Sequence, residues 1–150
     1  MIARAAPTEA GTLTALAHAA KRHWGYPEDW IARWADTLTV TPEYLAAHPT
    51  QAAWEDGTCV GFCTVIVAGP DARLEHLWVL PAAMGRGVGR RLFECAEGIA
   101  RAGGAARLLV ESDPHAEAFY VHLGATRFGQ VPAPMDGRER FLPLLAKPLT

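Results

Sequence analysis

Leu77-Trp78-Val79-Leu80-Pro81-Ala82-Ala83-Met84-Gly85-Arg86-Gly87-Val88-Gly89-Arg90-Arg91 reads as an apolar strand that runs through a glycine-rich turn into the start of a helix. Such a junction leaves several backbone N–H groups without helical acceptors, all pointing the same way at the positive end of the helix dipole. Gly85, Gly87 and Gly89 let that backbone approach a bulky anion where side chains would collide, and Arg86, Arg90 and Arg91 add positive charge around the same turn. The stretch is therefore a candidate phosphate seat. Its spacing excludes two better-known versions. A dinucleotide fingerprint needs a third glycine where Leu92 stands, and a P-loop needs Gly-Lys-Ser/Thr, which is absent here.

Working outward, helix and strand periods alternate. Upstream, Ile2–Ala5 reads as a short strand, and Thr8 as the cap of a helix whose apolar positions Leu13, Leu16, Ala17 and Ala20 share one face. Gly25-Tyr26-Pro27 breaks the chain. A second helix resumes from Glu28 to Leu38 with Ile31, Trp34, Ala35 and Leu38 inward, and a short turn follows Thr41-Pro42. Gln51–Glu55 and Thr58–Ala68 flank Asp56-Gly57, a type I′ hairpin signal, and Gly69-Pro70-Asp71 turns the chain into Arg73–Leu80. These three strands predict an antiparallel meander. Downstream, Val88, Leu92, Cys95, Ala96 and Ile99 recur at helical spacing until Gly103-Gly104, and Arg107–Glu111 follows as a strand parallel to Arg73–Leu80. Asp113–Leu123 reads as a capped helix, and Thr126–Val131 and Phe141–Leu145 as strands. The pattern predicts one α/β domain with a mixed sheet of about six or seven strands and about four helices.

Composition narrows the classes. The chain has 150 residues, half of them apolar, enough for one core burying about two-thirds of its unfolded surface. A formal charge of −2 supplies no field to hold nucleic acid. No stretch approaches the roughly 20 apolar residues of a membrane helix, and Met1-Ile2-Ala3-Arg4 leads into no signal-type core, so the chain is read as cytoplasmic, with neither membrane nor nucleic acid as partner. Cys59 and Cys63, if on one strand, lie about 13 Å apart at about 3.3 Å per residue, beyond disulfide reach; with Cys95 they are expected to be thiols. His18, His23, His48, His76, His115 and His122 show no metal-ligand spacing, and no metal is expected.

Arg/Gln-x-x-Gly-x-Gly/Ala is the coenzyme A diphosphate signature of the GNAT superfamily of N-acyltransferases, and Gly87 and Gly89 fit it. Met84 stands where the family usually has Arg or Gln. Asp113 through Ala125 resembles the family helix Asn-x-x-Ala-x-x-aromatic-Tyr-x-x-Leu-Gly-Phe, with Ala116, Phe119, Tyr120, Leu123 and Gly124 in place. Asp113 replaces its Asn and Ala125 its Phe. The resemblance is good over about residues 72 to 131. It implies a GNAT-like fold with two central parallel strands splayed apart, and acetyl-CoA as co-substrate. The diphosphate would lie on Met84–Arg90, with Arg86, Val88 and Arg90 around it. The pantetheine arm would run along the main chain of Leu77, Trp78 and Val79, and Asp113, Ala116 and Phe119 would complete the cofactor site.

Within that resemblance Tyr120 is the expected acid for the departing thiolate, because a phenol with a pKa near 10 keeps its proton at neutral pH. Glu75 is the expected base, since burial of a carboxylate in an apolar strand can raise its pKa toward neutrality. His76 is its rival and Glu111 a third choice; a relay through ordered water would need none of them. The Val79 N–H is the expected donor to the thioester carbonyl. Trp24 and Tyr26, beside a glycine and a proline, are expected to line a pocket for a small amine of apolar or cationic character, through cation–π contact. The reading is an N-acetyltransferase for a primary amine by direct attack; the alternative is a non-catalytic acyl-CoA sensor or partner module. Free sheet edges leave room for a homodimer.

Overall fold

The structure, a computed structural model, describes residues 1–149. In chain order the elements are β1 (Ile2–Arg4), a 3₁₀ turn (Pro7–Glu9), α1 (Ala10–Arg22), α2 (Glu28–Arg33), α3 (Ala35–Leu38), α4 (Pro42–Ala47), β2 (Thr50–Glu55), β3 (Thr58–Ala68) and β4 (Asp71–Val79). A second 3₁₀ turn (Pro81–Ala83), α5 (Val88–Ala102), β5 (Arg107–Glu111), a third 3₁₀ turn (Pro114–Ala116), α6 (Glu117–His122), β6 (Thr126–Pro132) and β7 (Phe141–Pro148) follow. The seven strands form one mixed sheet in the order β1-β2-β3-β4-β5-β7-β6. The chain groups into two compact units, Met1–Val65 with His76–Ala96, and Ile66–Glu75 with the chain from Glu97 onward.

In the first unit the apolar face of α1 is buried as its period demands, with Leu13, Leu16 and Ala17 packed among Ile31, Leu38, Leu45 and Phe62. Each fully buried leucine of this kind contributes about 1.5–3 kcal/mol. The helix expected from Glu28 to Leu38 is two helices, broken at Trp34, whose ψ of 6° leaves the helical range. The Trp34 ring is engaged there, edge-on to Tyr26 with centroids 5.0 Å apart. The expected turn after Thr41 is the helix α4, because Thr41 Oγ1 accepts the Tyr44 amide at 3.0 Å and Pro42 opens the first turn. These two departures account for six α-helices where about four were expected. Thr8 is not a cap; it lies inside the first 3₁₀ turn, where Glu9 reaches back to the Ala6 amide at 2.7 Å. The β2–β3 hairpin is type I′ as read, with φ of 50° at Asp56 and 78° at Gly57.

Gly61 on β3 lies directly against α5. A Cβ built there would stand 2.8 Å from Leu92 Cδ1, 2.9 Å from the Trp78 carbonyl oxygen and 3.2 Å from Val88 Cγ1. The missing side chain lets the first turns of α5 lie directly on β3. Gly61→Ala is therefore expected to lower stability by about 1–3 kcal/mol through overpacking. Thermal unfolding followed by circular dichroism reads it, and an unchanged Tm would mean that α5 is free to shift.

In the second unit β4 pairs with β5 in parallel, as the intervening crossover helix predicts, with Asp71 opposite Arg107, Ala72 opposite Leu108 and Arg73 opposite Leu109. An Asp71–Arg107 ion pair at 2.7 Å closes this end of the pair, and the guanidinium holds the Asp71 carboxyl below its usual range. Among the described residues the parallel register ends at Arg73 and Leu109, although β5 continues to Glu111 and stays paired with β7 as far as Leu144. The Asp113–Leu123 helix is a 3₁₀ turn followed by α6, and β7 runs three residues beyond the expected end at Leu145, to Pro148.

Candidate active site

Gly85 and Gly87 adopt φ of 78° and 83°, conformations that cost an L side chain about 1–2 kcal/mol, and a Cβ built on either meets nothing within 4 Å. The turn is open on the side where side chains would stand. The first helical bond of α5 runs from the Arg91 amide to the Gly87 carbonyl at 3.1 Å, so helix geometry leaves the amides of Val88, Gly89 and Arg90 without an intrahelical acceptor. A left-handed glycine pair followed by a helix N-terminus is the donor set that a diphosphate fits. Two of the nearby arginines already have counter-charges: Arg86 Nη1 lies 3.3 Å from Glu55 Oε2, and Arg90 Nε lies 3.0 Å from Glu94 Oε1. Arg91 is exposed.

Leu77, Trp78 and Val79 end β4 half-buried. The Leu80 amide donates to the Val60 carbonyl on β3 at 2.8 Å. Successive amides along a strand point to opposite edges, so the Val79 N–H is turned away from β3. Side-chain alternation separates the two base candidates: Ala72, Leu74 and His76 are buried on one face, and Arg73 and Glu75 lie on the other. The Glu75 carboxylate is ion-paired to Arg73 at 2.9 Å. His76 is buried beside Tyr44 and Phe62, and its Nδ1 accepts the Trp78 indole N–H at 3.1 Å. A neutral imidazole whose Nδ1 lone pair is so used carries its proton on Nε2 and has no lone pair left to act as a base.

In the second unit Asp113 caps the 3₁₀ turn that leads into α6. Its Oδ1 accepts the His115 amide at 2.9 Å, while the same carboxylate faces His115 Nδ1 at 2.9 Å and Arg140 at 3.9 Å. The carboxylate thus keeps the acceptor role that the family's amide oxygen would have, and adds a charge facing the Arg140 guanidinium. Ala116 and Phe119 are half-buried, and Tyr120 is buried at 7% exposure with Phe119 edge-on at 5.1 Å.

Two lysines that sequence reading did not single out matter to this layout. Lys21, on the buried face of α1 at i+4 from Ala17, places its ammonium 5.0 Å from the Tyr26 ring centroid and 4.3 Å from that of Trp34. Tyr26, stacked on Trp30 at 6.0 Å, thus already serves an internal cation. The i+4 spacing was a visible signal. Lys147, on β7, bonds to the end of α6.

All three cysteines are free thiols, with Cys59 and Cys63 buried. Burial pushes the Cys59 thiol up, whereas Cys63 and Cys95 share a hydrogen bond that pushes Cys63 up and brings Cys95 down to about 7. The S–H of Cys63 also reaches the Leu92 carbonyl at 3.6 Å. Cys95 is therefore expected to be the thiol that iodoacetamide alkylates first, with a rate rising through a midpoint near pH 7. Cys63→Ala removes the donor, so the Cys95 midpoint moves up toward the ordinary 9.0 and alkylation at pH 7 slows roughly tenfold or more. Mass spectrometry of the labelled peptide reads both.

Among the described residues no helix is long and apolar enough to cross a membrane, and no cluster of His, Cys, Asp and Glu could hold a metal ion. A GCN5-related N-acetyltransferase from Rhodopseudomonas palustris superposes with a TM-score of 0.82 at 26% identity, over 99% of this chain and 95% of that one. PaiA N-acetyltransferase from Thermoplasma acidophilum, solved in complex with coenzyme A, shares the fold at a TM-score of 0.78 and 19% identity, over 99% and 98%. YncA from Salmonella typhimurium, solved with acetyl-CoA, shares it at 0.71 and 20%, over 100% and 94%. The model of the acetyltransferase (GNAT) family matches residues 13–125, which span the glycine turn and α6 alike. With fold, turn and family match in agreement, the chain belongs to the GNAT family of acetyltransferases and is an acyltransferase.

Proposed function

We propose that this acyltransferase moves an acetyl group from acetyl-CoA to a primary amine of a small molecule, by direct attack of the amine on the thioester. The turn at Gly85 and Gly87 carries the reading: two left-handed glycines, open where a side chain would stand, precede a helix N-terminus. The amides from Gly85 to Arg90 hold the diphosphate, and the main chain of Leu77, Trp78 and Val79 receives the pantetheine arm as an added strand. Asp113, Ala116 and Phe119 complete the coenzyme site, as the family helix implies. The Val79 N–H, turned from β3, stabilises the negative charge that builds on the thioester oxygen.

Proton handling falls to two side chains. An amine at neutral pH is mostly ammonium and attacks only after losing a proton; Glu75, a carboxylate with lone pairs to offer, takes it, in preference to His76 with its committed Nδ1. Tyr120 donates its phenolic proton to the departing sulfur as the amide bond forms and the thioester bond breaks. Trp24 and Tyr26 belong to the acceptor wall; with Lys21 already on the Tyr26 ring, the acceptor's contact with that ring is apolar rather than cationic.

Release of free coenzyme A thiol from acetyl-CoA, measured across amino acids, polyamines, aminoglycosides and peptides, tests the reading. Turnover of at least one small amine, above the rate with peptides, is the expected result. Binding of acetyl-CoA without turnover of any amine would replace it with a sensor.

A further inference from the structure

The geometry points to Lys147 as a positioning residue for Tyr120: its ammonium closes the carboxyl end of α6 and thereby fixes the backbone from which the phenol projects. This inference rests on the proposed role of Tyr120 as the acid.

α6 has six residues, too few to hold its own geometry without end contacts. Its C-terminus is a Schellman motif: the Ala125 amide donates to the Tyr120 carbonyl at 3.0 Å and the Gly124 amide to the Val121 carbonyl at 3.0 Å, with Gly124 at φ 97°. Tyr120 is thus itself the anchor of the cap. The Leu123 carbonyl, beyond the last helical bond, accepts from Lys147 Nζ at 2.5 Å. A cation at this end also meets the negative pole of the helix dipole. The Lys147 ammonium is held in turn by Glu97 on α5, whose Oε2 lies 3.7 Å away and 3.2 Å from Arg101, and the Glu97 side chain is 9% exposed.

Gly124 ties these contacts together. A Cβ there would stand 2.9 Å from Lys147 Nζ and 3.4 Å from its Cε, so the lysine fills the space that the glycine leaves. Lys147 sits on β7 opposite Leu108 of β5, and β7 pairs with strands on both sides, so the ammonium is delivered from a rigid element. The network runs from Glu97 through Lys147 to the cap that Tyr120 anchors.

The test compares Lys147→Met, Lys147→Arg and Tyr120→Phe, with the double variant Lys147→Met/Tyr120→Phe, on the amine turned over fastest in the panel. Lys147→Met is expected to lower kcat about tenfold, because slight misplacement of a catalytic group is felt mainly in the chemical step. KM for acetyl-CoA should stay within about twofold, and Lys147→Arg, still a cation with donors, should recover most of the loss. In the Tyr120→Phe background the same lysine substitution should change kcat less than about twofold, since the phenol it positions is gone. An inactive Tyr120→Phe beside a Lys147→Met with wild-type kcat overturns the positioning role alone, as does an equal loss in both backgrounds. A fully active Tyr120→Phe overturns the acid role and the inference with it while leaving acetyl transfer in place, and a panel without turnover overturns the function reading as well. If Lys147→Met fails to fold by circular dichroism, Glu97→Gln carries the same comparison, with a loss of about threefold or more expected only when Tyr120 is present.

Discussion

Gly87→Val is expected to remove most of the affinity for coenzyme A while leaving the fold in place. Gly87 sits at φ 83° with nothing within 4 Å of an added Cβ. The substitution therefore costs stability mainly through backbone strain, about 1–2 kcal/mol and somewhat more for a β-branched side chain. The ligand loses more. The new side chain occupies the open face of the turn, and relaxing the strain swings the adjacent amides away from the anion. Loss of one charge-assisted hydrogen bond, about 1.5–3 kcal/mol, weakens binding roughly 10- to 150-fold. Calorimetric titration with coenzyme A reads it. Gly104→Val is the control: that glycine, at φ 85° with nothing within 4 Å of an added Cβ, carries similar strain beyond the far end of α5, and its variant should bind as the native chain does.

Tyr120→Phe is expected to lower kcat by about 10²–10⁴, the range for loss of a positioned acid, with coenzyme A affinity unchanged. The ring is buried and packs edge-on to Phe119, and phenylalanine keeps that packing. The loss is therefore assigned to the hydroxyl. Tight binding with no turnover is the signature; a kcat within about threefold of native would mean that solvent protonates the leaving sulfur.

The glycine turn was legible because its constraint is local: a left-handed backbone admits few residues but glycine, so Gly85 and Gly87 announce their conformation from sequence. The Asp56-Gly57 hairpin, the crossover that makes β4 and β5 parallel, and the Leu123-Gly124 stop of α6 were readable for the same kind of reason. What escaped was set by tertiary contact. The break at Trp34 interrupts an unbroken helical period where the indole is engaged by Tyr26 and Lys21, ring contacts that hydrophobic periodicity does not encode. The two base candidates, adjacent in sequence, were separable only once the indole of Trp78 was seen to occupy His76 Nδ1 and the guanidinium of Arg73 to face Glu75. Lys147 stands 24 residues from the carbonyl it serves, and only the placement of β7 joins them.

A crystal structure with acetyl-CoA tests the central claim most directly. Diphosphate oxygens are expected within hydrogen-bonding distance, about 2.7–3.2 Å, of the backbone amides between Gly85 and Arg90. A coenzyme seated elsewhere, with those amides facing only solvent, would contradict it.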